Sequence, residues 1–131
     1  MQREIKFRGK SILSNQFVYG YFYEMYHKSS DSLMLLPYII SPAPKTPPLY
    51  VKRETIGQFS GLLDKNGVEI YEGDIIKREN QIIIVLWNDK YAGFTLHCDN
   101  WSCLGFFYEN LDVDKVEVIG NIHDNPELLN K

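Results

Sequence analysis

A glycine-rich stretch in the middle of the chain, Thr55 to Ile76, places the strongest constraint on the fold. It contains four glycines among apolar residues, and the pair Asn66-Gly67 lies at its centre. An Asn-Gly pair lets both central residues of a tight turn adopt positive φ, so we predict a chain reversal there. A second reversal is predicted at Glu72-Gly73-Asp74. The stretch therefore predicts β-structure with tight turns and shows no motif of a chemical reaction.

Short segments along the rest of the chain have the composition or the period-two alternation of strands. Turn signals separate them at near-regular spacing, which favours a small barrel or two packed sheets over alternating strands and helices. We predict a mainly β fold with a small antiparallel, SH3-like barrel in the C-terminal part, an N-terminal β lobe and a short C-terminal helical turn. The predicted strands are 5–8, 17–24, 33–40, 74–78, 82–87, 93–97, 106–111 and 116–122, with 27–32 as a loop and 82–87 as a central strand.

Composition divides the chain into two parts. Four prolines between residues 41 and 50 indicate an extended connection. We therefore predict an N-terminal β lobe over 1–53, which includes this connection, and a glycine-rich centre plus small β-barrel over 54–131.

The charge is distributed unevenly between these two parts. Residues 1–53 hold eight Lys or Arg and three acids, a net charge of +5, and residues 54–131 hold six Lys or Arg and fourteen acids, a net charge of −8. This asymmetry is compatible with nucleic-acid contact through the basic part or with association between basic and acidic faces.

An aromatic stripe is the most informative feature of the basic part. Phe17, Tyr19, Tyr21 and Tyr23 occupy alternate positions of one predicted strand. They can form the core face of that strand, or they can stack on the bases of single-stranded nucleic acid beside a basic groove. The candidate nucleic-acid contacts are Arg3, Lys6, Arg8, Lys10, Tyr19 and Tyr21.

Trp101 is a candidate for a protein contact, because it lies in a polar loop and exposed aromatic residues concentrate binding energy. The alternative is that its ring folds back onto the sheet. The sequence leaves both interpretations open.

Motifs of catalysis and cofactor binding are missing from the sequence. It has no Ser-His-acid arrangement, no phosphate-binding loop and no dinucleotide fingerprint. Turn and strand positions account for the acids between residues 64 and 74, and one Cys-x4-Cys pair with isolated histidines is too little for a structural zinc site. We therefore expect no enzyme activity and no catalytic, cofactor-binding or metal-binding residues.

The location expected from the sequence is the cytoplasm of the host cell. The first residues are charged, and no apolar run approaches the roughly 20 residues of a membrane helix, so we expect no membrane contact. Cys98 and Cys103 are expected to be free, buried thiols in such a reducing compartment.

Several motifs give the chain a family resemblance. They are Arg3-Glu4-Ile5-Lys6-Phe7-Arg8-Gly9, Phe17-Val18-Tyr19-Gly20-Tyr21, Thr55-Ile56-Gly57-Gln58-Phe59-Ser60-Gly61-Leu62, the segment from Asp64 to Asp74, and the segment from Val118 to Pro126. In this order they resemble the YopX-like phage proteins over nearly the whole chain. The resemblance implies a small, mostly β protein encoded by bacteriophages and prophages, and it implies no activity.

Two functional hypotheses follow, and a third, a small hydrolase or metal enzyme, is the least favoured. The first is a non-enzymatic phage or prophage accessory protein that binds itself, as a homo-oligomer, or a host or phage protein. The alternative is a single-stranded nucleic-acid-binding module that uses the basic and aromatic N-terminal strands.

Overall fold

The computed structural model describes residues 4–98, 105–106 and 112–129 of the chain. Within these ranges the regular structure is almost entirely β, and the helical segments are short 3₁₀ turns. The strands are β1 Phe7–Lys10, β2 Phe17–Ser29, β3 Ser32–Ile40, β4 Leu49–Tyr50, β5 Gly57–Leu63, β6 Glu69–Tyr71, β7 Asp74–Arg78, β8 Gln81–Asn88, β9 Gly93–Cys98, β10 Gly105–Phe106 and β11 Glu117–Asn121. The 3₁₀ turns are Arg53–Thr55, Val113–Lys115 and Pro126–Leu129. The predicted mainly β fold and the short C-terminal helical turn are thus confirmed.

The chain forms two compact units, Met1–Gln58 and Phe59–Lys131. In the first unit the strand order is β4-β3-β2-β1, followed by Gly57 and Gln58 at the start of β5, and all neighbouring strands are antiparallel. Ile39 and Val51 are completely buried, and Phe22 pairs directly with Ile39 and contacts the ring of Phe7. The core of this unit therefore lies on the face of the sheet that carries Phe22 and Ile39.

A long hairpin formed by β2 and β3 is the most extended feature of the first unit. The two strands pair continuously from Tyr21 with Ile40 to Ser29 with Ser32. The prediction of a loop over 27–32 is therefore wrong for most of that segment, because the reversal is confined to residues 30 and 31. Pairing with a partner strand outweighed the polar composition of these residues.

The second unit contains the paired strands β5 and β6 and a five-stranded antiparallel sheet. The order in the sheet is β10-β9-β8-β7-β11, so β8 is central, as predicted from its apolar sequence. Its alternate residues Ile83 and Val85 are fully buried, whereas Trp87 is partly exposed. The buried core consists of Ile70, Ile76, Ile83, Val85, Leu96 and Val116.

The SH3-like barrel predicted for the C-terminal part is not confirmed. Among the described residues, β10 and β11 form the two edges of the sheet, and no pairing between them closes it. The C-terminal sheet is therefore open in this part of the chain. Period-two patterns locate strands but contain no information on whether the two edge strands meet.

The proline-rich segment between β3 and β4 is mostly exposed and is not fully extended. It bends at residues 42–45, where Lys45 has a φ of 61°.

Another proline, Pro37, lies within β3 opposite Glu24, and β4 pairs only with Tyr38 and Ile39. Proline is thus tolerated at the point where the pairing of β3 with β4 ends, and its carbonyl oxygen accepts a 3.2 Å hydrogen bond from the backbone N–H of Val51.

Within the same described ranges, no helical segment has the length and hydropathy of a membrane-spanning helix.

Candidate interaction surfaces

Three of the six candidate nucleic-acid contacts line one cleft in the first unit. Lys6, Tyr19 and Tyr21 border a cavity of about 380 Å³. The remaining lining residues are Glu4, Ile5, Gly20 and Pro42. The side chains of Tyr19 and Tyr21 are 48% and 55% exposed. The carboxylate of Glu4 lies 3.3 Å from the Lys6 ammonium group. The cleft therefore combines two accessible aromatic rings with one ion pair.

Two other candidates, Arg8 and Lys10, do not belong to an exposed basic groove. They are only 5% and 6% exposed. The Arg8 guanidinium carbon lies 4.3 Å from the centre of the Phe17 ring, and the Lys10 ammonium group lies 5.4 Å from the same centre. Both cations are thus held in cation–π contacts inside the unit. Alternation along β1 could not show this, because period-two patterns assume that charged side chains face water.

Arg3 and Trp101, the remaining candidates, lie outside the described residues.

The aromatic stripe of β2 lies on the face opposite the Phe22 and Ile39 core. Its members differ in burial, because Tyr19 and Tyr21 are exposed whereas Phe17 and Tyr23 are half-buried. The Tyr23 ring stacks on Tyr38, with ring centres 5.7 Å apart. The stripe is therefore neither a buried core face nor a fully open surface.

A second surface, which sequence reasoning missed, is the distal half of the β2–β3 hairpin. We call residues 24–36 the arm. Five large apolar side chains of the arm are exposed: Met25, Tyr26, Leu33, Met34 and Leu35. Apolar residues at the end of a long hairpin were the available signal, but the predicted loop over 27–32 concealed it.

Both faces of the arm carry these apolar groups. Tyr26 pairs with Leu35, and Leu33 lies opposite Lys28 on the same face. Met25 and Met34 lie on the other face, because directly paired residues share a face and adjacent residues alternate. Tyr26, Leu33 and Met34 are 64%, 62% and 52% exposed, so neither face of the arm is covered within the described residues.

The base of the arm is anchored by polar contacts. The Arg53 guanidinium forms an ion pair with Glu24 and also donates a 2.7 Å hydrogen bond to the carbonyl oxygen of Leu35. The hydroxyl of Tyr38 lies 2.6 Å from Nε2 of His27, and the two rings stack. These contacts fix the strand register at the base and leave the apolar tip uncovered.

The long edges of the arm offer further backbone groups for pairing. Strand β1 pairs with β2 only between Phe17 and Gly20, and β4 pairs with β3 only at Tyr38 and Ile39. Among the described strands, none pairs with the outer edges of β2 and β3 along the arm. Such edges are ready templates for a strand from another chain.

Asp64 organises the Asn66-Gly67 turn of the second unit. Its Oδ1 accepts hydrogen bonds from the backbone N–H groups of Asn66 at 2.8 Å and Val68 at 2.9 Å, and its Oδ2 accepts one from Val118 at 2.8 Å. Burial alone would raise the pKa of Asp64. The three hydrogen bonds and the charge of Lys65 outweigh burial and lower the pKa below its usual value of 3.8. Asp64 is therefore a structural carboxylate that holds the predicted turn against β11.

This carboxylate makes stability depend on pH. Because the pKa of Asp64 is lower in the folded protein than in the unfolded chain, its stabilising effect is complete well above pH 3.8 and is lost as the pH falls below 3.8 towards the folded value. We expect the difference in unfolding free energy between the wild type and Asp64→Asn to shrink as the pH is lowered through this range, as measured by urea unfolding. A difference that stays constant would contradict the assignment.

The other acids of this stretch are also structural. Asp74 is 1% exposed, and its Oδ2 accepts a 2.7 Å hydrogen bond from the backbone N–H of Tyr71. Glu69 accepts a 3.0 Å hydrogen bond from the hydroxyl of Tyr71. The first contact closes the reversal at residues 72–73, and the second joins two side chains of β6.

No group of three or more His, Cys, Asp or Glu side chains within the described residues is arranged to hold a metal ion. Cys98 is half-buried and disulfide-bonded, so the expectation of a free thiol is wrong for this residue. Cys103 lies outside the described residues.

Comparisons with known proteins agree with the fold. The chain is similar to the crystal structure of protein EF1440 from Enterococcus faecalis, with 26% sequence identity and a TM-score of 0.53, and the similarity covers 98% of this chain and 99% of that chain. No curated protein matches this chain. The family model described as YopX protein matches residues 6–130. This match covers almost the whole chain, including the glycine-rich centre and the long hairpin, so the chain belongs to the YopX protein family.

Proposed function

We propose that this YopX family member is a non-enzymatic interaction module that associates with a second copy of itself through the arm. The observation that supports the proposal is the apolar character of both faces of the arm. Isolated surface hydrophobic side chains are common, but here five occur within eleven consecutive residues, from Met25 to Leu35.

The energetics favour covering the arm. A two-stranded hairpin without further packing is at best marginally stable in water. Burial of apolar surface contributes roughly 25 cal/mol per Å², so covering Tyr26, Leu33 and Met34 stabilises the arm as well as the complex. The proposed association therefore completes a structural element that the single chain leaves partly solvated.

A second copy fits the chemistry of the arm. The arm carries Glu24, Lys28 and Asp31 as its charged residues, so its net charge is close to zero and two arms repel each other little. With side-chain areas of roughly 150–250 Å² for the larger residues, two arms would bury on the order of 1,000 Å². Pairing of the outer strand edges would add backbone hydrogen bonds to this apolar contact. A symmetric pair is also the commonest form of oligomer.

Sedimentation equilibrium tests this proposal. We expect the wild type to form a dimer, and we expect the triple variant Tyr26→Thr, Leu33→Thr and Met34→Thr to lose at least about tenfold in dimer affinity, since each truncation removes buried apolar area. Threonine keeps a high strand propensity, so the hairpin itself is retained. The matched control is Leu13→Thr with Tyr91→Thr, which removes exposed apolar side chains outside the arm and is expected to leave the affinity unchanged.

Two outcomes would refute the proposal. One is a wild type that remains monomeric at every protein concentration. The other is equal loss of affinity in the arm variant and in the control. A salt series identifies the force involved, because apolar contacts persist when salt is added, whereas association between the basic and acidic parts of the chain weakens.

An origin in phages or prophages and action in the host cytoplasm remain predictions of the sequence.

A further inference from the structure

The cleft between the start of β1 and the aromatic stripe is a separate surface from the arm. Its lining residues all belong to the first unit, and none of them lies within residues 24–36. We propose that this cleft binds single-stranded nucleic acid by stacking a base against Tyr19 and Tyr21.

The spacing of the two tyrosines supports a stacked base. They are two residues apart on β2, so their side chains lie on the same face and their Cα atoms are about 6.8 Å apart. This spacing leaves room for one planar base to stack against the side chains. Both residues are about half exposed, so each presents surface that a base can contact.

The size of the cleft selects a single strand. Its volume of about 380 Å³ lies near the lower end of the range of about 300–1,000 Å³ for small-ligand sites. An unpaired base can enter such a cleft, whereas the bases of a duplex are already stacked on each other. We therefore expect the site to discriminate between single-stranded and double-stranded nucleic acid.

The part of the chain that contains the cleft is basic, which suits a polyanion. Residues 4–53 hold seven Lys or Arg and three acids, a net charge of +4. Lys6 is the cation that lines the cleft. Arg8 lies on the same face of the sheet, but it is buried against Phe17 and is not expected to contact a phosphate. Glu4 lies beside Lys6 and offers a carboxylate that can accept a hydrogen bond from the ring N–H of a thymine base.

Fluorescence anisotropy with a labelled single-stranded oligothymidine tests the inference. We expect Tyr19→Ala with Tyr21→Ala to weaken binding at least about fivefold for each lost stacking contact. Tyr21→Phe keeps the aromatic ring and is expected to bind within about twofold of the wild type. Lys6→Met is expected to reduce the slope of log affinity against log salt by about 0.7, the value for one phosphate contact on a single strand.

The controls separate this site from the arm. The triple variant of the arm and Tyr91→Ala are both expected to bind the oligonucleotide as the wild type does. Three results would each overturn the inference. The wild type does not bind the oligonucleotide, the double tyrosine variant binds it as tightly as the wild type does, or the wild type binds a duplex of the same length with equal affinity. None of these outcomes bears on self-association, which is measured separately by sedimentation.

Discussion

Replacing Asp64 with alanine is expected to lower the free energy of unfolding by about 3 kcal/mol, because it leaves three backbone N–H groups without their acceptor. Asn66, Val68 and Val118 donate these hydrogen bonds at 2.8 to 2.9 Å. Asp64→Asn retains one carbonyl oxygen and should cost about half as much. Both tryptophans lie in residues 59–131, so urea unfolding followed by tryptophan fluorescence reports on the second unit.

The control for Asp64 is Asp112→Ala. Among the described residues, the Asp112 side chain accepts one hydrogen bond, from the backbone N–H of Asp114, at an exposed 3₁₀ turn, and lies 3.8 Å from the exposed Lys115 ammonium group. Its loss is expected to cost about 0.5–1 kcal/mol. Equal effects of the two substitutions would show that Asp64 does not join the central turn to β11.

Replacing Gly20 with alanine is expected to destabilise the first unit by at least about 3 kcal/mol, because its new Cβ would overlap the backbone of β3. A Cβ built at this position lies 2.1 Å from the carbonyl oxygen of Ile40, and the φ of Gly20 is +156°. Backbone atoms cannot rotate away as a side chain would, so the hairpin must shift. Urea unfolding followed by far-ultraviolet circular dichroism measures the loss.

Gly93→Ala is the matched control for Gly20. A Cβ at Gly93 meets only the carbonyl oxygen of Tyr91, at 3.8 Å, which is ordinary van der Waals contact. The control is expected to change stability by less than about 1 kcal/mol. If Gly20→Ala lowers the free energy of unfolding no more than Gly93→Ala does, then the close approach of β2 and β3 at Gly20 is not present in solution.

The sequence predicts the local β-structure well and the larger arrangement poorly. The turn at Asn66-Gly67 and the central position of β8 could both be identified from residue types. The prediction of a positive φ at both turn residues is wrong for Asn66, because only Gly67, with a φ of 80°, has one. Closure of the C-terminal sheet depends on which distant strands meet, and no local pattern contains that information. The same limit explains why the sequence predicts a loop at the tip of the β2–β3 hairpin.

The candidate surfaces show a similar division. The sequence allows the selection of Tyr19, Tyr21 and Lys6, because aromatic residues at alternate positions near basic residues are typical of a single-stranded nucleic-acid site. Arg8 and Lys10 could not be separated from Lys6, because their burial depends on the packing of Phe17 against them. The predicted loop over 27–32 concealed the arm, and the exposure of its apolar side chains depends on the pairing of β2 with β3, which the local pattern does not contain.

Hydrogen–deuterium exchange at low and high protein concentration tests self-association through the arm most directly. The account predicts that backbone amides of residues 24–36 exchange more slowly at high concentration, while amides of the Asn66-Gly67 turn are unaffected. Exchange of the arm that is independent of concentration, in a sample that sediments as a dimer, would place the interface elsewhere and contradict the account.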